Sequence, residues 1–235
     1  TASYHEYAAG CFLRHLGNKT IDLTALRLKD IDEYIRLTGK RLTRASLQHE
    51  VAVVRGLLRY CANNGRAPMG LDRQIDSPRL YQLEQLPKAL PWDTVKEILK
   101  AIDKRSAIGL RDYAMLLMVA TYGLRASEVV AVTLDDIRWR QGSLRIHQRK
   151  TSSPLELPLT NEVADAVVRH LKRTPPAPHR RIFLRMRAPM GALEPSVVTE
   201  IFQSAVRQSG LKIPMAGPHC LRHSLAIHLL RNGTP

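Results

Sequence analysis

The sequence predicts a mainly α-helical protein with a small β-sheet, an α+β fold in two parts. Three observations predict it. Most of the chain carries apolar residues at helical spacing. The alternating apolar–polar runs lie close together, around residues 143–159. A proline-rich, aperiodic stretch near residue 85 divides the chain. At 235 residues there is room for one large domain or two ordinary ones.

Residues 4–16 (YHEYAAGCFLRHL) read as a helix ending near Gly17, and Leu23 to Leu37 as a second, with Leu28, Ile31 and Ile35 on one side. In the third, Leu47, Val51, Val54, Leu58 and Cys61 recur at steps of four, three, four and three, and Asn63-Asn64-Gly65 stops it. Arg44, Arg55 and Arg59 fall largely off that stripe and mark a basic face. Residues 1–66 thus form a helical bundle. The stretch from Ala67 to Trp92 holds four prolines and reads as a linker, with a domain boundary at 85/86.

In the second part, residues 86–235, Asp93 is placed to cap a helix with Val95, Ile98, Leu99 and Ile102 on one face. DYAMLLMVATY is apolar nearly all round, as a central buried helix is, and Gly123 ends it. SLRIHQ and PLELPL flank KTSS as a hairpin. Asn161 to Leu171 is an amphipathic helix, PPAPH a loop, RIFL a short strand, and Ser196 to Ser209 a helix closed by Gly210. A last helix starts at GPHCLRH, with Pro218 at its first position.

Lys and Arg number 36 against 21 Asp and Glu, a formal charge of +15, which favours a polyanionic partner. The excess is uneven: residues 1–86 hold 13 basic and 9 acidic side chains, residues 87–235 hold 23 and 12. The three cysteines, Cys11, Cys61 and Cys220, are far apart and odd in number, which suits core residues in a reducing compartment better than a disulfide framework. The longest apolar run, Ala114 to Ala120, is too short to span a bilayer.

Four positions carry chemistry: Arg125 in TYGLRASE, Lys150 in QRKTSS, and His219 with Arg222 in HCLRH. Residues three apart on a helix share a face, so His219 and Arg222 can address one group together. The head of that helix offers free N–H groups and the positive end of the dipole to an anion. Two guanidinium forks converging on a phosphate match its non-bridging oxygens and offset charge that develops during phosphoryl transfer. A hairpin lysine can protonate a leaving alkoxide, and a histidine can assist proton transfer. A register shift of one residue would put Arg149 in place of Lys150. His219 and His223 have metal-ligand spacing, but no acidic neighbour or third ligand accompanies them.

GLRASE, the hairpin lysine and HCLRHSLAIHLLRNG resemble the boxes of the tyrosine recombinase (phage integrase) family of site-specific DNA recombinases, over nearly the whole chain. The resemblance implies a helical core-binding domain over 1–85, with its linker from about residue 67, and a catalytic domain over 86–235. Arg125 and Arg222 would hold the scissile phosphate, Lys150 would be the general acid for the 5′-hydroxyl, and His219 an acid/base partner. Glu128 would support Arg125 or His219, its plain alternative being an acid on a helix surface. Arg44, Arg55, Arg59 and Arg149 would contact DNA. The family uses no metal, no ATP and no cofactor. Its partner is double-stranded DNA, on which four protomers of the intact protein assemble. A cytoplasmic, nucleoid-associated protein with no membrane role follows.

The family also needs a tyrosine nucleophile several tens of residues beyond the second arginine. All seven tyrosines here precede Arg125, and 13 residues follow Arg222. The expectation is a chain truncated at its C-terminus, with no nucleophile and no cleavage of its own. A non-catalytic DNA-binding regulator of recombination sites is the alternative. Type IB topoisomerases share the chemistry but fit the helical first part and compact length less well.

Overall fold

The computed structural model describes residues 2–80, 89–148, 154–176, 178–214 and 217–233. The chain forms two compact units, Thr1–Leu86 and Pro87–Pro235.

In the first unit, α1 (Ala2–Asn18) and α2 (Leu28–Gly39) pack on α3 (Arg44–Asn63). Val51, Val54 and Leu58 of the α3 stripe meet Phe12, Leu16, Ile31 and Tyr34 in one apolar core. The expected second helix is broken. Asp22 Oδ1 accepts the Thr24 N–H at 2.9 Å and starts a 3-10 turn, Leu23–Ala25. Leu26 then turns inward in extended backbone, and Asp30 caps the helix proper through the Arg27 N–H at 3.1 Å.

The linker also begins later than expected. Gly70, with φ 83°, turns the chain into a short helix, α4 (Leu71–Gln74), and Leu71 and Ile75 enter the core. Two α3 arginines hold this return: Arg55 donates to the Ile75 carbonyl, and Arg59 Nε pairs with Asp72 Oδ2 at 3.0 Å. Proline content near residue 67 hid two buried residues one helical turn apart. Glu50, absent from the expected stripe, is buried beside it. Its carboxylate is kept there by the hydroxyls of Tyr34 at 2.6 Å and Tyr4 at 3.2 Å.

The second unit is built on α6 (Ala107–Tyr122), whose Ala114 to Ala120 are buried on every side. α5 (Trp92–Ala101), α8 (Asn161–Arg173), α9 (Ser196–Ser209) and α10 (His219–Arg231) surround it. Asp93 does not cap α5: Pro91 holds that position, and the Asp93 carboxylate sits exposed in the first turn. A three-stranded antiparallel sheet runs β1 (Ile137–Arg138), β2 (Ser143–His147), β3 (Pro154–Pro158), with Leu144 opposite Leu157 and Ile146 opposite Leu155. Leu144 and Ile146 point into the core, as the alternation requires.

RIFL is not a strand of this sheet. Only single bridges occur there, Thr133 with Arg181 and Leu184 with Ala192. Ile182, Phe183 and Leu184 are all buried, which a half-exposed strand cannot achieve. Two of their carbonyls are met by side chains. His170 Nε2 contacts the Ile182 carbonyl at 3.1 Å, and Arg111 Nη1 donates to the Leu184 carbonyl at 3.2 Å.

Candidate active site

Arg125 stands at the break between two helices. α6 ends where Gly123 adopts left-handed backbone (φ 62°) and donates its N–H to the Val119 carbonyl at 2.9 Å. Two residues later Arg125, in extended backbone, caps the short helix α7 (Ala126–Val129). Glu128 reaches back from that turn. Its Oε2 accepts the Arg125 N–H at 2.8 Å, and its Oε1 accepts from Arg125 Nη1 at 2.6 Å. The Glu128 side chain is 3% exposed and that of Arg125 39%. The carboxylate is therefore committed to Arg125, while much of the guanidinium still faces solvent.

α10 carries the other two groups. Arg222 Nη1 donates to the Gly123 carbonyl at 2.6 Å, across 99 positions of sequence. The left-handed backbone is what favours glycine at 123. Its φ is positive, and a Cβ there would lie 3.3 Å from Leu225 Cδ2 and 3.5 Å from Arg222 Cγ. One turn before Arg222, His219 lines a cleft with Arg125, Ser127, Thr199 and Pro218. Partial burial, then the charges of His223, Arg222 and Arg125, hold the His219 pKa below the ordinary imidazole value. Arg125, His219 and Arg222 therefore occupy one locus. Pro218 is the residue flanking α10 and His219 the first in it, one position later than expected.

Lys150 and Arg149 lie outside the described residues, between β2 and β3. The base of their hairpin is described. There, Tyr122 donates its hydroxyl to the Pro158 carbonyl at 3.0 Å and accepts the Thr160 N–H at 3.1 Å. At the other strand, His147 Nε2 lies 3.2 Å from Asp136 Oδ1. Neither contact, nor the role of the Gly123 carbonyl, was legible in sequence. A tyrosine in an apolar run signals core, and a backbone acceptor leaves no side-chain trace.

In the first unit, Arg44 is exposed in the first turn of α3. Arg55 and Arg59 are engaged with Ile75 and Asp72, although the Arg59 side chain stays 67% exposed. Among the described residues no group of three or more His, Cys, Asp and Glu could hold a metal ion, and no helix is long and apolar enough to cross a membrane.

A fold of this kind, with a cationic cleft between the end of one helix and the start of another, defines a class that known proteins identify. The pattern of the phage integrase family matches residues 88–235, and the chain belongs to that family, the tyrosine recombinases. Among its relatives, y4rA of Sinorhizobium fredii, named as an integrase/recombinase, is 34% identical over 219 residues, covering 92% of this chain and 53% of that protein. The tyrosine recombinase XerD of Listeria innocua is 29% identical over 192 residues, 80% of this chain and 63% of XerD. The chain spans about half the length of the first curated relatives it matches. In fold it is similar to a lambda integrase dimer bound to a COC′ core site, with a TM-score of 0.76 at 16% identity over 97% of this chain and 82% of that one. XerH bound to difH in a pre-cleavage complex gives 0.70 at 16% identity, over 88% and 60%. The expected mainly α fold with a small sheet is the observed one.

Proposed function

We propose that these residues form the phosphate-activating part of a site-specific DNA recombinase that breaks and rejoins strands through a 3′-phosphotyrosyl intermediate. Arg125 and Arg222 would each present guanidinium N–H groups to the non-bridging oxygens of one phosphodiester, offsetting the charge that develops as it becomes five-coordinate. A tyrosine hydroxyl gives its proton to His219 or water as its oxygen attacks phosphorus, the P–O5′ bond breaks, and O5′ takes a proton from Lys150. The 3′ end remains joined to the tyrosine until a 5′-hydroxyl reverses the step. The phosphodiester is exchanged rather than hydrolysed, so the chemistry needs neither ATP nor a metal. Glu128 holds the Arg125 fork in place. His219, kept neutral by its surroundings, can take up a proton beside the bound anion.

The observation that carries this reading is the bond from Arg222 to the Gly123 carbonyl, two residues from Arg125. Membership of the tyrosine recombinase family supports it. The nucleophile is assigned to a tyrosine outside these 235 residues. Tyr122 is engaged at Pro158 and Thr160, and Tyr113 with Glu162 at 3.2 Å. The phenols of Tyr4 and Tyr34 have their pKa values raised by burial and by Glu50, which keeps them protonated, and both hydroxyls donate to the Glu50 carboxylate. Double-stranded DNA is the partner, with Arg44 and the exposed part of Arg59 adding backbone contacts from the first unit. Four protomers would assemble on two sites in the whole protein.

A nicked suicide duplex tests this. The 235-residue chain should bind it, more weakly as salt rises, and give no SDS-resistant adduct. A longer form carrying a downstream tyrosine should give one. An adduct from the 235-residue chain would put the nucleophile among the seven tyrosines. DNA binding without an adduct from any longer form would favour the regulator that binds and does not cut.

A further inference from the structure

The cleft beside Arg125 has a volume of about 460 Å³, within the range of pockets that hold a ligand. Four polar side chains line it, Arg125, Ser127, Thr199 and His219, and among the described residues no carboxylate does. The acid of this turn, Glu128, is buried and spent on Arg125. Such a lining offers donors and positive charge, and suits an anion. Of the four, Ser127 has no task yet. It follows Arg125 by two residues in α7, a turn locked by Glu128 on the Arg125 backbone and side chain and by the buried Val129. Ser127 is half-buried, and its hydroxyl meets no hydrogen-bond partner among the described residues. Nor is that oxygen sealed away: the buried polar side-chain atoms left without a partner belong to His15 and Arg55. It is therefore open to what enters the cleft. Thr199, on α9, differs, because its methyl is turned toward Gly217, 4.0 Å from where a Cβ on that glycine would lie.

We infer that Ser127 is a substrate-binding residue, whose hydroxyl donates to a non-bridging oxygen of the phosphodiester that Arg125 holds. This rests on the proposed function and adds a neutral donor to its two guanidinium groups. A serine oxygen sits one bond beyond Cβ, so it reaches only a group drawn close to the α7 backbone, and Arg125, at the head of that helix, is the residue that draws it there. A non-bridging phosphate oxygen is an acceptor only, which a hydroxyl can meet as a donor without adding charge. A hydrogen bond to an ionised group is worth about tenfold to a hundredfold in an equilibrium or a rate. Because the donor is uncharged, its loss leaves the number of released counterions alone, whereas the loss of Arg125 does not.

The test measures duplex binding by the 235-residue chain, with an ordinary scissile phosphate or with either diastereomer of a methylphosphonate there, in which a methyl group replaces one non-bridging oxygen. Ser127→Ala should weaken binding of the ordinary duplex about tenfold, and have no effect on the diastereomer whose methyl stands where the hydroxyl would bond. The salt slope should stay as it is, while Arg125→Ala lowers it by about one. The urea unfolding midpoint should not move, since the hydroxyl has no partner in the free chain. In a longer, cleavage-competent form, Ser127→Ala should slow adduct formation on a suicide duplex about tenfold or more. Unchanged binding and an unchanged adduct rate overturn the inference. So does an equal loss on the phosphate and on both methylphosphonates, or a lower unfolding midpoint, either of which would make Ser127 a support of α7 and not a ligand. Absence of any adduct from the unsubstituted longer form overturns the functional reading itself, and the inference with it.

Discussion

Arginines serve the two units in different ways. In the first, Arg55 and Arg59 fall on the polar side of α3, where a basic face was expected, yet both tie the chain that returns through Asp72 and Ile75. In the second, Arg125 and Arg222 are tied through one nitrogen each, as Arg55 and Arg59 are, but to Glu128 and to the Gly123 carbonyl, beside the cleft that Arg125 and His219 line. Arg111 lies at the extreme: buried, and spent on Asp112 and the Leu184 carbonyl. Net charge counts all of them equally. What distinguishes a structural arginine from one able to grip an anion is how many of its five N–H groups the protein itself consumes, and whether the remainder faces a cleft.

The largest effect that would break this comparison is on catalysis. Arg125→Ala or Arg222→Ala in a cleavage-competent form should lower the rate of covalent adduct formation by about a hundredfold or more, roughly 2.7 kcal/mol of lost transition-state stabilisation. Near-normal cleavage by either variant would place both arginines with the structural set. Next comes the anchor. Glu128→Ala leaves the Arg125 fork unsupported and removes an acceptor at the start of α7. Cleavage should fall about tenfold, and denaturant unfolding should show a loss of about 1–3 kcal/mol. A cleavage defect without any loss of stability would separate the two roles assigned to that carboxylate.

A smaller effect concerns pH. Burial, and after it the charges of His223, Arg222 and Arg125, hold the His219 pKa below its ordinary value in the free protein. A phosphate arriving beside it offsets those charges and raises the pKa, so the complex takes up a proton. Affinity for duplex DNA should therefore rise about twofold to fivefold as pH falls from 7.5 to 6, at fixed ionic strength. His219→Gln should flatten that slope. An identical slope in the variant would remove His219 from the anion site. The smallest effect sharpens the comparison within the first unit. Arg59→Ala should weaken DNA binding about threefold and reduce the salt slope by about one, while Arg55→Ala should lower the unfolding midpoint and leave the slope alone. Equal salt slopes in both variants would assign both residues to structure.

How much could be read in advance depended on whether a feature leaves a side-chain pattern. The helix Ser196–Ser209 and its closing Gly210 were legible because apolar spacing and a left-handed glycine both write themselves into sequence. So were the Gly123 stop and the hairpin strands, where small residues and strict alternation speak plainly. Leu71 and Ile75 were missed because two buried residues in a proline-rich stretch are too few to show a period. RIFL was misread as a strand because three buried apolar residues look alike whether a full strand or single bridges and side chains satisfy their backbone. At the cleft, the residue types and the i, i+3 spacing of His219 and Arg222 were visible. The main-chain acceptor joining α10 to α6 was not, since a carbonyl belongs to every residue.

That carbonyl has a consequence for how the protein can vary. Ordinary contacts between distant segments can be lost by changing either side chain, and rebuilt by changing the other. Here one partner is peptide backbone, at a position where the left-handed turn favours glycine. The two halves of the cleft are thus not free to drift apart through compensating substitutions, and a lineage that loses either member has no neighbouring replacement to turn to.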